Sequence, residues 1–202
     1  EYNSHINELI VPAWVTEIGV NAFKYCRNLN KVTFEGKSTN ESLAVREGAF
    51  YGCTQIKEIT LPENLFTLEK NAFGGTNNLK DVTVESFSTD PNKPLAFEND
   101  VFATVNSRTS AENPTSSGDF RPVYYVTTIK IGLKVTMMDI GGIFGKSVEQ
   151  LEVDDNHPVF AVRDGVLFDR DITVLVYYPS AKKGDYEIPE TVKVINSGVF
   201  YG

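Results

Sequence analysis

The side chains best suited to chemistry are few in this chain: two cysteines, Cys26 and Cys53, and two histidines, His5 and His157. A thiol nucleophile needs a base beside it, and a zinc site needs several such ligands close together. The cysteines occupy the same place in two similar stretches, Phe23-Lys24-Tyr25-Cys26 and Phe50-Tyr51-Gly52-Cys53. Three readings are open: small apolar side chains packed in equivalent places, a disulfide between them, or a reactive thiol. Repetition of the position argues for packing. His157 stands in Asn156-His157-Pro158, which is turn chemistry. No Gly-x-Ser-x-Gly elbow occurs to give it a nucleophile.

Oxygen ligands concentrate in one region, at Asp154, Asp155, Asn156, Asp164, Asp169 and Asp171. Calcium favours such groups, but the spacing of a calcium-binding loop with its closing Glu is absent, so turns and solvated loops are the better reading. The glycine-rich stretch Asp139–Gly145 matches neither a dinucleotide fingerprint nor a phosphate loop, and reads as a close-packed corner. No cofactor, metal or catalytic residue is predicted.

What could carry function is the frame in which the residues recur. Val11-Pro12, Leu61-Pro62 and Ile188-Pro189 each precede a phenylalanine by the same distance, at Phe23, Phe73 and Phe200, with Ala22, Ala72 or Val199 just before it. Downstream, Leu29-x-x-Val32-x-Phe34, Ile56-x-x-Ile59-x-Leu61 and Leu79-x-x-Val82-x-Val84 repeat the second half of the unit. Marker phenylalanines fall at 23, 50, 73 and 102. A looser copy runs through Ile131, Val135, Met138 and Phe144, and Phe168 is a further candidate marker.

Apolar residues two apart face one side of a short strand. The residues between them, Lys31, Thr33, Glu58, Thr60, Asp81 and Thr83, with Gln150 and Glu152 further on, face the other. The Ala-Phe segments read as short helical or 3₁₀ turns, each dropping one ring into the core. A single unit cannot cover its own apolar face, so units must stack, with strands about 4.8 Å apart in a parallel ladder. The predicted fold is a β-rich repeat solenoid. Residues 1–202 form one array of roughly six to seven coils, the last incomplete. The polar stretch 106–122 is an insertion within it. Strands are predicted at Val123–Val135, Val159–Val162, Val166–Phe168 and Thr173–Tyr178.

Composition agrees and excludes. The chain has 202 residues, with 27 acidic against 19 basic side chains and a net charge of −8. An acidic balance argues against a nucleic-acid footprint. No apolar run reaches the roughly 18 residues of a membrane helix.

With Val11-Pro12, Ile18-Gly19, Ala22-Phe23, Cys26, Leu29, Val32 and their copies in view, the chain resembles the BspA-like leucine-rich repeat family, also called the Treponema pallidum type. The stretch from Val153-Asp154 through Asn156-His157-Pro158 and Asp164-Gly165-Val166 to Tyr178-Pro179 and Ile188-Pro189 is similar to a long unit frequent in that family. The resemblance implies a right-handed leucine-rich-repeat-like coil on a surface or secreted bacterial protein, some members being adhesins for host matrix proteins. Uneven repeats and a missing Asn ladder argue against a regular horseshoe.

The functional expectation is therefore a non-catalytic, extracellular interaction or adhesion module. It would present Lys31, Thr33, Glu58, Thr60, Asp81, Thr83, Gln150 and Glu152 to a protein partner, either a host matrix protein or a bacterial surface component. A glycan-binding module and a pure spacer are the alternatives. Trp14 stands where other copies place Asn64 and Thr191, so it is either exposed for binding or buried under an N-terminal cap; Tyr124, Tyr125, Tyr177 and Tyr178 share that ambiguity. Each complete copy runs on for another strand past its Phe. The protein is therefore expected to continue beyond Gly202, or to have that end covered by another chain.

Overall fold

The computed structural model describes residues 5–35, 42–85, 96–97, 101–102, 104–105, 122–123, 125–135 and 147–200. Met138, Asp139–Gly145, Tyr124 and nearly all of the insertion at 106–122 lie outside them. In chain order the strands are β1 (Glu8–Val11), β2 (Glu17–Ile18), β3 (Lys31–Phe34), β4 (Leu43–Val45), β5 (Glu58–Leu61), β6 (Leu65–Leu68), β7 (Asp81–Val84) and β8 (Ala96–Phe97). There follow β9 (Thr104–Val105), β10 (Pro122–Val123), β11 (Thr128–Ile131), β12 (Gln150–Val153), β13 (Phe160–Arg163), β14 (Val166–Asp169), β15 (Val174–Tyr177) and β16 (Val194–Ile195). The chain is a β-solenoid, as the repeat requires.

From β1 to Phe102 the described coils have three sides. On the first, β5, β7, β11 and β12 form a parallel sheet, and β1 pairs in parallel with β3. Alternation does the work here: Ile59, Val82, Ile129 and Leu151 fall in one register row, Leu61, Val84, Ile131 and Val153 in another, and nearly all are fully buried. A fully buried Ile, Leu or Val contributes about 1.5–3 kcal/mol, so the register cannot slip without exposing a whole row. The second side, a parallel sheet in the order β2-β4-β6-β8, is not foreshadowed by any strict alternation in the repeats.

The third side is the aromatic turn. Phe23, Phe50, Phe73 and Phe102 stack ring on ring, with centroids 5.3, 5.0 and 5.7 Å apart and planes within 14°. Its bonds are of i→i+3 type, as in Ala22 N→Gly19 O and Cys26 N→Phe23 O. Of the two predicted forms, short helical or 3₁₀ turns, the segments take the tight-turn form, and left-handed residues separate them. Asn21, Gly48, Asn71 and Gly198, two positions before the Phe, and Tyr25, Gly52 and Gly75, two positions after it, hold φ between 56° and 73°. Only Gly and Asn enter that region cheaply, which makes Tyr25 the costly member. Amides between these kinks bond to the next coil, as in Phe23 N→Ala49 O and Phe50 N→Ala72 O, both 2.7 Å.

Beyond β12 the pattern changes. β13, β14 and β15 form an antiparallel meander, and β16 joins β15 in parallel. The predicted turns at Asp164-Gly165 and Asp169-Arg170-Asp171 are where the meander reverses. Phe168 is not a stack marker: it lies in β14 and is buried with Val166, Leu175 and Val199 in a second core cluster. At the coil end, Val194, Ile195 and Phe200 are half exposed. β9 and β10 pair antiparallel, bringing together the chain on the two sides of residues 106–121.

Candidate functional site

The outward face of the first sheet is built by the residues that alternation turns away from the core. In register, Glu58 stands beside Asp81 and Thr60 beside Thr83. Thr128 and Gln150, then Lys130 and Glu152, continue the two rows. The sheet is split between β3 and β5, which are neighbours that share no ladder.

The backbone bonds between coils differ at the split. At three intact junctions the residue just past a strand donates to the end of the preceding strand: Glu35 N→Val11 O 3.0 Å, Glu85 N→Leu61 O 3.3 Å and Gly132 N→Val84 O 2.8 Å. The residue in that place after β5 is Pro62, which has no N–H to give Phe34 O. At the other strand end, Lys80 and Asp81 donate to Lys57 O, and Thr127 and Thr128 donate to Lys80 O. Among the described residues, no such bond runs from Lys57 or Glu58 to Asn30.

The split opens as a groove of about 1150 Å³, lined by Lys31, Thr33, Glu58, Thr60 and Asp81 together with Asn30, Lys57, Pro62, Glu63 and Glu85, among others. Its floor is the buried pair Val32 and Ile59. The β5/β7 wall carries most of the carboxylates, and Glu63 is tied to Lys134 at 2.7 Å.

Five residues named from the sequence thus meet in one groove. Thr83 lies just beside it on β7, partly buried like Asp81. Gln150 and Glu152 are exposed on β12, at the far end of the same sheet. Trp14 belongs to none of these: it follows β1 in a turn and is 68% exposed, so it is not buried under an N-terminal cap. Pro62, Lys57, Glu63 and Glu85 escaped sequence reasoning. Pro62 was visible as one of the aligned prolines Pro12, Pro62 and Pro189, but its effect on the ladder was not.

The other chemically capable residues serve the fold. Cys26 and Cys53 are buried free thiols, and Cys53 Sγ donates to Phe23 O at 3.1 Å. Burial, aided by the nearby Cys26, pushes the Cys53 thiol up to about 12. His157 is fully buried: its Nδ1 accepts from Val159 N and Phe160 N, and its Nε2 lies 3.1 Å from Gly132 O. Two bonds into Nδ1 place the proton on Nε2, which donates to Gly132, so the ring is a neutral staple between the long unit and the coil beneath. Asp169 accepts from Thr173 N, Val174 N and the Thr173 hydroxyl, and Asp154 from Asn156 N. Both carboxylates are turn-makers. Of the tyrosines, Tyr125 lies under Lys80 Nζ, and Tyr178 packs on Tyr186 and Phe200. Tyr177 is partly buried in β15.

Comparison with known proteins agrees with this architecture. A family model described as the BspA type leucine rich repeat region matches residues 2–112 and 39–139, with 6 copies of the repeat. Among curated proteins nothing matches. Among solved structures the chain is similar to the pneumococcal vaccine antigen PcpA, at 21% identity and a TM-score of 0.54, over 99% of this chain and 44% of that one. It is also similar to a leucine-rich repeat protein from Eubacterium ventriosum (19% identity, TM-score 0.44, 96% of this chain and 50% of that one). A leucine rich cell surface protein from Faecalibacterium prausnitzii gives 21% identity and a TM-score of 0.41, over 95% and 51% of the two chains. The chain spans about half the length of these proteins or less. The PcpA likeness carries the fold alone; the family model, matching more than half of the residues, carries membership. With its stacked phenylalanines and strand-by-strand register, this chain belongs to the BspA type leucine-rich repeat family.

Proposed function

We propose that this chain is a non-catalytic interaction module, displayed at a bacterial surface, that binds a protein partner through the outward face of its first sheet. The observation that carries the reading is the split between β3 and β5, where Lys31, Thr33, Glu58, Thr60 and Asp81 line one groove. A groove with hydrogen-bonding edges and charge on its walls is a recognition surface, whereas a spacer needs none. Catalysis is left out because the groups best suited to it are engaged elsewhere: Cys53 is a buried thiol and His157 a saturated staple. Surface display draws on the family and on relatives that include a vaccine antigen and a cell surface protein. The test is a binding screen of the chain against host matrix proteins and bacterial surface components. A partner whose affinity falls at least about tenfold in Glu58→Lys/Asp81→Lys supports the reading; a partner indifferent to the reversal removes the face from it.

A second reading has its own observation. Trp14 is 68% exposed, with Ile10 (60%) and Val20 (60%) exposed in the same coil. An exposed indole suits the apolar face of a sugar ring. Glycan-array binding abolished in Trp14→Ala supports a glycan module; array signal unchanged in that variant ends it.

A further inference from the structure

We infer that the split between β3 and β5 seats an extended peptide segment of the partner, with a lysine or arginine anchored over Glu58 and Asp81. The inference rests on the interaction reading above and specifies the chemistry of its partner.

Backbone geometry comes first. Residues of a parallel strand turn alternately toward its two neighbours. On β3, the Lys31 and Glu35 amides are committed to β1, at Asn7 O and Val11 O. The Val32 and Phe34 peptide groups are therefore directed to the split. On β5, Lys57 O and Leu61 O accept from Asp81 N and Glu85 N of the β7 side, which directs the Glu58 and Thr60 groups to the split from across it. Two facing edges thus offer donors and acceptors every second residue. That period is matched by a peptide backbone, and open strand edges are the standard template for one. A lipid or a polyanion matches neither the period nor the mixed donors and acceptors.

Charge then selects the segment. Glu58 and Asp81 are direct register partners, and like charges so placed are destabilising. Neither has a salt-bridge partner among the described residues. A cationic side chain between them relieves that repulsion, and Thr33 and Thr60 flank the path of the chain beyond it. A chain seated between two strand edges needs about 9.6 Å between them, more than β3 and β5 leave, so seating it requires the coil to open as a wedge from the outward face while the Phe23–Phe50–Phe73 stack and the β4–β6 ladder hold its other two sides.

The experiment pans a random linear-peptide library against the wild-type chain and compares binding of the selected peptides to Glu58→Lys/Asp81→Lys and to Thr33→Trp, which fills the groove. Circular dichroism verifies each fold, and either variant suffices if the other fails to fold. Three results together are expected: Lys or Arg enrichment, affinity lowered at least about tenfold by the variants, and slowed amide exchange at Val32, Phe34, Glu58 and Thr60. Peptides lacking a basic residue, or insensitive to the variants, overturn the inference. Failure to select any peptide also overturns it. A folded partner that still binds the strand face in that case leaves the interaction reading standing, whereas loss of all strand-face binding ends both.

Discussion

Gly132 shows how tightly one coil sits on the next. A Cβ built there would lie 2.8 Å from Glu85 Cα and 2.9 Å from two backbone oxygens, and backbone cannot step aside as a side chain can. Gly132→Ala should lower stability by about 1–3 kcal/mol, seen as a reduced urea midpoint. Asp169 carries a pH signature. Partial burial alone would raise its carboxyl, but the bonds from Val174 N and from the Thr173 hydroxyl and amide outweigh that and hold it below its ordinary value. A depressed folded-state value means that the contribution is complete above the ordinary carboxyl range near pH 4 and is lost as pH falls through the lower folded value. Wild type should therefore lose stability on acidification more steeply than Asp169→Ala, as measured by denaturation midpoints from pH 6 down to about pH 2. The Cys53 thiol, held up at about 12 by burial, should resist thiol reagents in the native chain and react on unfolding. Fast native labelling would contradict its place in the core.

At the scale of elements, the aromatic stack and the split sheet make opposite predictions. Phe50 is fully buried between Phe23 and Phe73. Phe50→Ala should cost about 3–5 kcal/mol, while the same change at the half-buried Phe23 should cost less. Thermal unfolding of the two variants makes the comparison. Pro62 withholds a donor at one end of the split between β3 and β5. Pro62→Ala restores an N–H opposite Phe34 O, so amides near the end of β5 should exchange more slowly and the groove should narrow. Exchange no slower than in wild type would mean that another constraint holds the split. Strand positions were readable because alternation is strict over Val32-x-Phe34, Ile59-x-Leu61 and Val82-x-Val84. The second sheet was not, since Leu65–Leu68 buries both ends and half-buries its middle, a pattern that period-2 reasoning does not find. The aromatic segments were legible as short turns, but the left-handed residues that separate them were not.

For the whole molecule, the net charge of −8 is compatible with a stack that buries its apolar rows and leaves its carboxylates on loops and outer faces. Some are neutralised locally, as where Arg46 reaches Glu17 at 2.7 Å and Glu69 at 2.8 Å in the coils on either side. Such exposed bridges add little singly; packing of phenylalanines and aliphatic rows carries the stability. The sequence by itself determined the solenoid, because repeats too small to cover their own apolar faces have to stack, and it determined which residues face outward, because a strand alternates. It also named Lys31, Thr33, Glu58, Thr60 and Asp81 as one face. Only the tertiary structure decided that these residues border a groove, that Trp14 is exposed and that His157 is a buried staple. Alternation sets the side of a strand on which a residue stands. Whether neighbouring strands join depends on bonds between coils, and here the bonds missing between β3 and β5, one of them at Pro62, change the surface that a partner would meet.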